Sequence, residues 1–492
     1  MSDTILVLDE GTTSTRAMRF AVDGTCLGSS QQEIAQHYPQ SGEVEHDAAE
    51  IWQRSVDVMR AEIEAAGGAQ NIAAIGITNQ RETIVFWDKR SGEPLAPAIV
   101  WQDRRTAAIC DRLRAYDHEP MVQRKTGLLL DPYFSGSKIG WALENWPQLK
   151  AAGEHLAVGT VESYLIFRMT GGLHITDASN AARTVLMDIH SGQWDDELLG
   201  LFGVPHAILP EIVDCAGDFG STEADLFGVS IPICGMAGDQ QAATIGQGCF
   251  ALGDTKATFG TGAFVLSYAG TSAPLSAHRI LTTIGWQLDG ARHYALEGSI
   301  FVAGSLIQWL RDQLGMIVEA GESEALARSV ADNGGVTIVP ALSGLGAPHW
   351  QADARAAITG LSFASDKAHI VRAALEAMAH QMEDLKTAFA ADGVDWSQLR
   401  VDGGMVSNDW MVQDLADILQ LEVDRPDFIE TTALGAAMLA ATGAGLYPSL
   451  DAAAAMRRSG NAFTPKMQDA QRTARLTQWR VALESVLGKG AS

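Results

Sequence analysis

Ile5 to Phe20 reads ILVLDEGTTSTRAMRF: an apolar run, an acid, a Gly-Thr-Thr-Ser turn, an arginine and a second apolar run. Two such runs joined by a short turn predict a pair of antiparallel strands. The connection carries Asp9 inward and is expected to turn the amides and hydroxyls of Gly11, Thr12, Thr13 and Ser14 outward. Glycine lets backbone approach an anion with no Cβ in the way, and successive amide N–H groups form a small anion-binding concavity. Such a turn suits a phosphate. Asp9 would repel that phosphate unless a cation lay between them, so its natural partner is a phosphate-bound Mg²⁺. The pairing points to a nucleotide, although an ordinary hairpin with a Gly-Thr turn fits the same stretch.

A chain of 492 residues is too long for one ordinary core, and two or three domains are expected. Its 47% hydrophobic and 19% charged content is that of a globular protein. With a net charge of −25 and no Lys/Arg run, nucleic acid and anionic membranes are disfavoured as partners. An anionic nucleotide must then be bound by local amides and a metal. ILVL is followed at once by Asp9 and Glu10, which is not a signal-peptide layout. The Ala-rich stretch Thr431 to Ser449 is interrupted by Gly435, Gly443, Gly445 and Pro448, so it reads as a buried helix and its exit, with no membrane insertion. Cys26, Cys110, Cys215, Cys234 and Cys249 are scattered, with no CxxC pair, and suggest reduced thiols in the cytoplasm.

Thr25 to Gln32 reads as a third strand, and in VEHDAAEIW Asp47 is placed to cap a helix with Glu50 at the capping-box spacing. His46, beside that cap, reads as surface structure. Ile72 to Thr78 is a continuous apolar run, as in a strand buried on both faces, and ends in Asn79-Gln80-Arg81-Glu82. Ligand crevices in open α/β sheets lie beyond the carboxyl ends of such strands, which puts Arg81 and Glu82 where a polar ligand sits. A surface ion pair is the competing reading. Ile99 to Trp101 repeats the pattern on a short strand, and Gly136 is expected to break the run after Tyr133 and Phe134, aromatics that also suit a core. Ile231 to Gly238 is another apolar strand, ending in Asp239-Gln240-Gln241. Asp239 is placed both as a helix N-cap and as a catalytic base, and the two roles do not exclude each other.

At Asp254 the chain starts again. DTKATFGTGAFVLSY is strand, Gly-Thr-Gly turn, strand, and Ile280 to Leu288 follows as a third strand. This implies an internal duplication with domains 1–250 and 251–492, and a nucleotide between two phosphate-type turns. Further on come a helix with Gly304 and Gln308, then a strand, Leu399 to Asp402, that runs through Gly403-Gly404 into a helix from Asn408. There a nucleoside can pass close to backbone.

DEGTTSTR, GITNQRET, IVWQDRR, DPYFSGSK, GMAGDQQAA, TFGTGAF, ALEGSIFVAG, GLGAPHW and RVDGGMVSN follow one another through nearly the whole chain. In this order they resemble the FGGY carbohydrate kinases, and within them the glycerol kinases. The resemblance implies an α/β, two-domain actin-like, ribonuclease-H-like ATPase fold, with ATP and Mg²⁺ in the cleft and glycerol phosphorylated to sn-glycerol 3-phosphate. Carried over by position, Arg81, Glu82, Trp101, Tyr133, Asp239, Gln240 and Phe264 meet glycerol, with Asp239 taking the hydroxyl proton. Thr12, Thr13, Ser14, Arg16, Thr261, Gly304, Gln308, Gly404 and Asn408 meet ATP, and Asp9 and Asp239 lie at the metal. A homo-oligomer, dimer or tetramer, is expected. Glu10 stands where the family commonly has Gln, which either weakens nucleotide binding or helps hold the metal. Ala224 to Ile231 lacks the Gly-rich, Arg-containing loop that binds fructose 1,6-bisphosphate in enterobacterial relatives. The alternatives are a kinase of the same family for another polyol or sugar, and a non-catalytic actin-like ATPase.

Overall fold

The opening hairpin forms as read. In the computed structural model, which describes residues 4–488, β1 (Thr4–Glu10) and β2 (Ser14–Ala21) pair antiparallel, with Asp9 opposite Arg16. β3 (Cys26–Glu33) adds to β2, and its alternating burial is that of a half-covered edge strand. The buried runs β4 (Ile72–Asn79) and β5 (Ile233–Gly238) lie parallel to β1 on its other side, giving the order β5-β4-β1-β2-β3. α1 (Ala48–Ala65) covers one face; Asp47 caps it by accepting from the Ala49 amide. The capping box does not close, because Glu50 accepts from the Ala35 amide instead.

The second half repeats this plan. β6 (Asp254–Phe259) and β7 (Ala263–Gly270) form the second hairpin, followed by β8 (Leu281–Leu288), β9 (Ala291–Ile300), β10 (Gln398–Asp402), β11 (Val423–Arg425) and β12 (Asn461–Phe463). Their order is β8-β9-β7-β6-β10-β11-β12. The strand beside β7 is therefore β9, and β8, expected in that place, is an added strand outside it. β9 is wholly buried from Tyr294 to Ile300 because it has a neighbour on each side.

What joins the halves is α6. Of the helices that matter here, α2 (Ser135–Asn145), α3 (Asp239–Gly246), α4 (Gly304–Asp312) and α5 (Asp409–Leu419) precede it, and α6 spans Thr431–Gly443. It is apolar all round, with Ala433 to Ala441 buried, because it lies between α3 and the first sheet. That contact is backbone on backbone. A Cβ on Gly76 or Gly235 would stand 2.4 Å from the Ala436 oxygen or the Ala440 nitrogen, and one on Gly435 would stand 1.8 Å from the Ala242 oxygen. Main chain cannot yield as a flexible side chain does. Gly435→Ala is expected to cost about 1–3 kcal/mol or more and lower the apparent Tm by several degrees. Gly200→Ala, in a helix where nothing lies within 4 Å of the new methyl, is the control and should be neutral or stabilising. Equal melting of the two variants would contradict this account of the interface. No described helix is long and apolar enough to cross a membrane, and all five cysteines are free thiols.

Two local expectations change. Gly136 does not end the run ahead of the helix but lies inside the first turn of α2, which starts at Ser135, and a Cβ there would press on the Thr184 oxygen at 3.0 Å. His46 is fully buried, not on the surface, and its Nδ1 is 3.4 Å from Gln80 Nε2. Burial drives its pKa down to about 4, so the ring is neutral.

Candidate active site

The carboxyl ends of β1, β4 and β5 converge, and the side chains just beyond them build one polar cluster. β4 delivers Arg81 and Glu82, which are 3% and 1% exposed and are no surface ion pair. They are only 3.9 Å apart, and each has a closer partner of its own. Arg81 bonds Glu297 at 2.6 Å, approaches Asp239 through Nε at 3.3 Å, and donates to the Tyr133 hydroxyl at 3.3 Å. Glu82 accepts from Arg183 Nε at 2.7 Å. The Glu82 backbone sits at φ 64°, a strained value for a residue with a Cβ, and its carbonyl accepts from the Ser135 hydroxyl. Such strain persists only where the surroundings over-determine it.

Electrostatics follow from burial among opposite charges. Burial works to raise the Glu297 pKa, but Arg183 and Arg81 outweigh it and hold the group at about 2. Glu82, with burial dominant over the same arginines, is raised. Burial lowers Lys256 to about 8; its ammonium donates to Gln240 Oε1 and, at 3.0 Å, to Thr258. Asp239 is the exception among these charged groups, with its side chain 34% exposed. It is the first residue of α3, not its N-cap, which is Gly238; its Oδ1 accepts from the Gln240 amide at 2.7 Å. Trp101 and Phe264 close the apolar side, ring centroids 6.4 Å apart, and Trp101 is 5.6 Å from Tyr133. The glycerol-type residues named from sequence therefore do come together, one of them, Phe264, from the second half.

Trp101 Nε1 donates to the Thr12 hydroxyl at 2.9 Å, which ties this cluster to the first phosphate-type turn. Thr13 is exposed at its tip. The expectation for Gly11 fails: its amide turns inward and closes the turn on the Ser14 oxygen at 3.0 Å. The Ser14 hydroxyl accepts from Gln31. Arg16 bridges Asp9 and Glu430 at 2.7 Å each. Burial raises the Asp9 pKa against the pull of Arg16, and the charge of Asp239 adds to the rise.

The second half holds a cavity of about 410 Å³. Thr261, Gly304, Gln308, Gly404 and Asn408 all line it, with apolar walls from Ile307 and Met405. The Gly260 and Thr261 carbonyls accept the first amides of α4, so turn and helix form one wall. Asn408 caps α5 through Oδ1 and has its Nδ2 3.3 Å from the Ser323 hydroxyl. Thr12, Thr13, Ser14 and Arg16 are not among its lining residues.

Glu10, next to Asp9 at the end of β1, lies beneath the turn and not at its surface. It is fully buried and accepts from Thr15 at 2.5 Å and Ser55 at 3.3 Å. Burial above all raises its pKa well above the ordinary carboxylate value, which favours the protonated form, a near-isostere of glutamine. In the unfolded chain it ionises near pH 4.5. Stability is therefore undiminished below that pH and is lost as pH rises through the folded pKa, at about 1.4 kcal/mol per unit of separation. Glu10→Gln should raise the apparent Tm by a few degrees at pH 8 and by little at pH 4.5. A Tm gain that is the same at both values would rule this out.

Residues 4–246 match the profile of the FGGY family of carbohydrate kinases, N-terminal domain, and residues 255–444 that of its C-terminal domain. The chain belongs to the FGGY family of carbohydrate kinases. It is 52% identical over 498 residues to a glycerol kinase of Methylobacterium nodulans, with 99% of each chain covered. To a glycerol kinase of Rhodospirillum centenum it is 53% identical over 483 residues, 97% of each. Among solved structures it is similar to Plasmodium falciparum glycerol kinase with ADP, with a TM-score of 0.94, 36% identity and 98% of each chain covered. Its α/β fold is the two-domain, actin-like, ribonuclease-H-like ATPase fold.

Three charged residues of this FGGY kinase site escape sequence reading: Arg183, Lys256 and Glu297, each 0% exposed. The signal was there in part. Arg183 and Glu297 are each a lone charge among small or apolar neighbours, and a charge is buried only against a partner. The partners, however, lie more than a hundred residues away for Arg183 and Glu297.

Proposed function

We propose that this FGGY kinase transfers the γ-phosphoryl group of ATP to glycerol, giving sn-glycerol 3-phosphate and ADP. The observation that carries the reading is the half-open Asp239 carboxylate against the buried Arg81 and Glu82 and the partly buried Tyr133 hydroxyl, beside the edges of Trp101 and Phe264. Asp239 accepts the proton of the attacking hydroxyl. Arg81 and Glu82 hold the remaining hydroxyls, Gln240 supports them, and the two rings exclude water, the competing nucleophile. The 410 Å³ cavity takes the nucleoside, with Thr261, Gly304, Gln308, Gly404 and Asn408 against it. Thr12, Thr13, Ser14 and Arg16 meet the phosphates.

Mg²⁺ fits the carboxylates present. Among the described residues no group of three or more His, Cys, Asp or Glu is arranged to hold a metal. That suits an ion which uses one or two carboxylates and completes its shell with water and phosphate. Asp9 and Asp239, which repel each other, would hold it, and it would supply charge neutralisation on the phosphates. The halves 1–250 and 251–492 act as the two domains. The enzyme is read as a cytoplasmic homo-oligomer, whose size light scattering would report.

Coupled ADP release against a panel of polyols and ketoses tests the reading. Glycerol should lead the panel in kcat/KM. A ketose or larger polyol in first place would favour the other sugar-kinase reading, and ADP release independent of any polyol would favour a bare ATPase.

A further inference from the structure

Arg81 carries five N–H donors in a fixed fork, and each has an acceptor close by in the protein. Nη1 donates to Glu297 at 2.6 Å and reaches Gln241 at 3.4 Å. Nη2 donates to the other Glu297 oxygen at 3.2 Å and to the Tyr133 hydroxyl at 3.3 Å, and Nε stands 3.3 Å from Asp239. The Glu297 contacts form a bidentate, charge-assisted pair, which fixes orientation as well as distance. The contacts to Tyr133 and Asp239 are long, and they are the ones a substrate hydroxyl can displace.

Glu297 is itself immobile. It sits in β9 between two neighbouring strands, is 0% exposed, and accepts from Arg183 at 2.9 Å. Arg183 in turn fixes Glu82. Arg81, Glu82, Arg183 and Tyr133 all precede residue 250, so Glu297 reaches this cluster from the opposite half. Without its charge, two buried guanidinium groups would be left with Glu82 and Asp239, and Arg81 would turn toward Asp239.

We propose that Glu297 is a positioning residue for substrate recognition, a carboxylate from the second half that grips one edge of the Arg81 fork so that the other edge faces the substrate hydroxyls. The proposal rests on the glycerol reading above. Glu297 touches no reacting atom; it acts through Arg81.

A role in orienting one donor predicts a change in discrimination, whereas a merely structural role lowers all activities together. Glu297→Gln keeps the size and removes the charge. The measurement is kcat/KM for glycerol, propane-1,2-diol and propane-1,3-diol, each diol lacking one hydroxyl. In the variant, glycerol should fall about 10–100-fold while the diol lacking the hydroxyl held by Arg81 changes little, so that its glycerol-to-diol ratio collapses by that factor. A ratio retained for both diols, with activity unchanged or lowered in common, would overturn the proposal. Should Glu297→Gln not yield folded protein, Glu297→Asp, which keeps the charge but draws it back, carries the same test with a smaller collapse expected. A wild-type enzyme with no glycerol-dependent ADP release would overturn the glycerol reading itself, which separates the two failures.

Discussion

Asp239→Asn is expected to lower kcat by about 10²–10⁴ while the protein folds and binds ATP as before. Asparagine keeps an acceptor oxygen in the place of Oδ1, so the contacts to the Gln240 amide and to Arg81 Nε survive. What it cannot do is take a proton. The nucleoside cavity is built from Phe259 onward and does not include residue 239, so the affinity for a nonhydrolysable ATP analogue titrated without Mg²⁺ should not move. Calorimetric titration of the analogue and steady-state kinetics on the purified variant check both halves of the expectation. Retention of a large part of kcat would remove Asp239 from the role of base.

Arg81→Ala should be worse for binding and for stability together. The side chain is the shared cation of Glu297, Asp239 and Glu82, and it is almost wholly buried. Its removal leaves Glu297 with Arg183 alone, and breaking a buried ion pair costs about 3–5 kcal/mol. The KM for glycerol should rise about 100-fold or more, because the site's other polar groups are left unpaired as well. Arg81→Lys rescues little: an ammonium is a point charge and cannot bond Glu297 bidentately while facing Asp239. The glycerol KM and the ATP-analogue affinity should part company. If both weakened by the same factor, Arg81 would belong to the nucleotide or to the fold as a whole.

Much of this arrangement is local in sequence and therefore legible there. ILVLDEGTT, IAAIGITN and ICGMAG are buried strands because they are apolar without interruption, and each ends in the polar residues that the site uses. The second hairpin at Asp254 repeats the first closely enough that the duplication shows without a structure. Even the Ala-rich α6 declares itself as a buried helix.

Other features are set by who faces whom across the molecule. Nothing near Glu10 in the sequence says that α1 will cover it and that burial will raise its pKa. Nothing near Ile280 says that β9, and not β8, will pair with β7. Nothing near Glu297 names Arg81, 216 positions away, as its partner. By itself the sequence determined the two hairpins, the strand ends that carry Asp9, Arg81 and Asp239, and the family, because these depend on runs of neighbouring residues. The tertiary structure alone decided which charges are paired, which are pushed towards neutrality, and that Asp239, though beside Arg81, keeps about a third of its side chain open. Those depend on distance and desolvation, which only the packed chain defines.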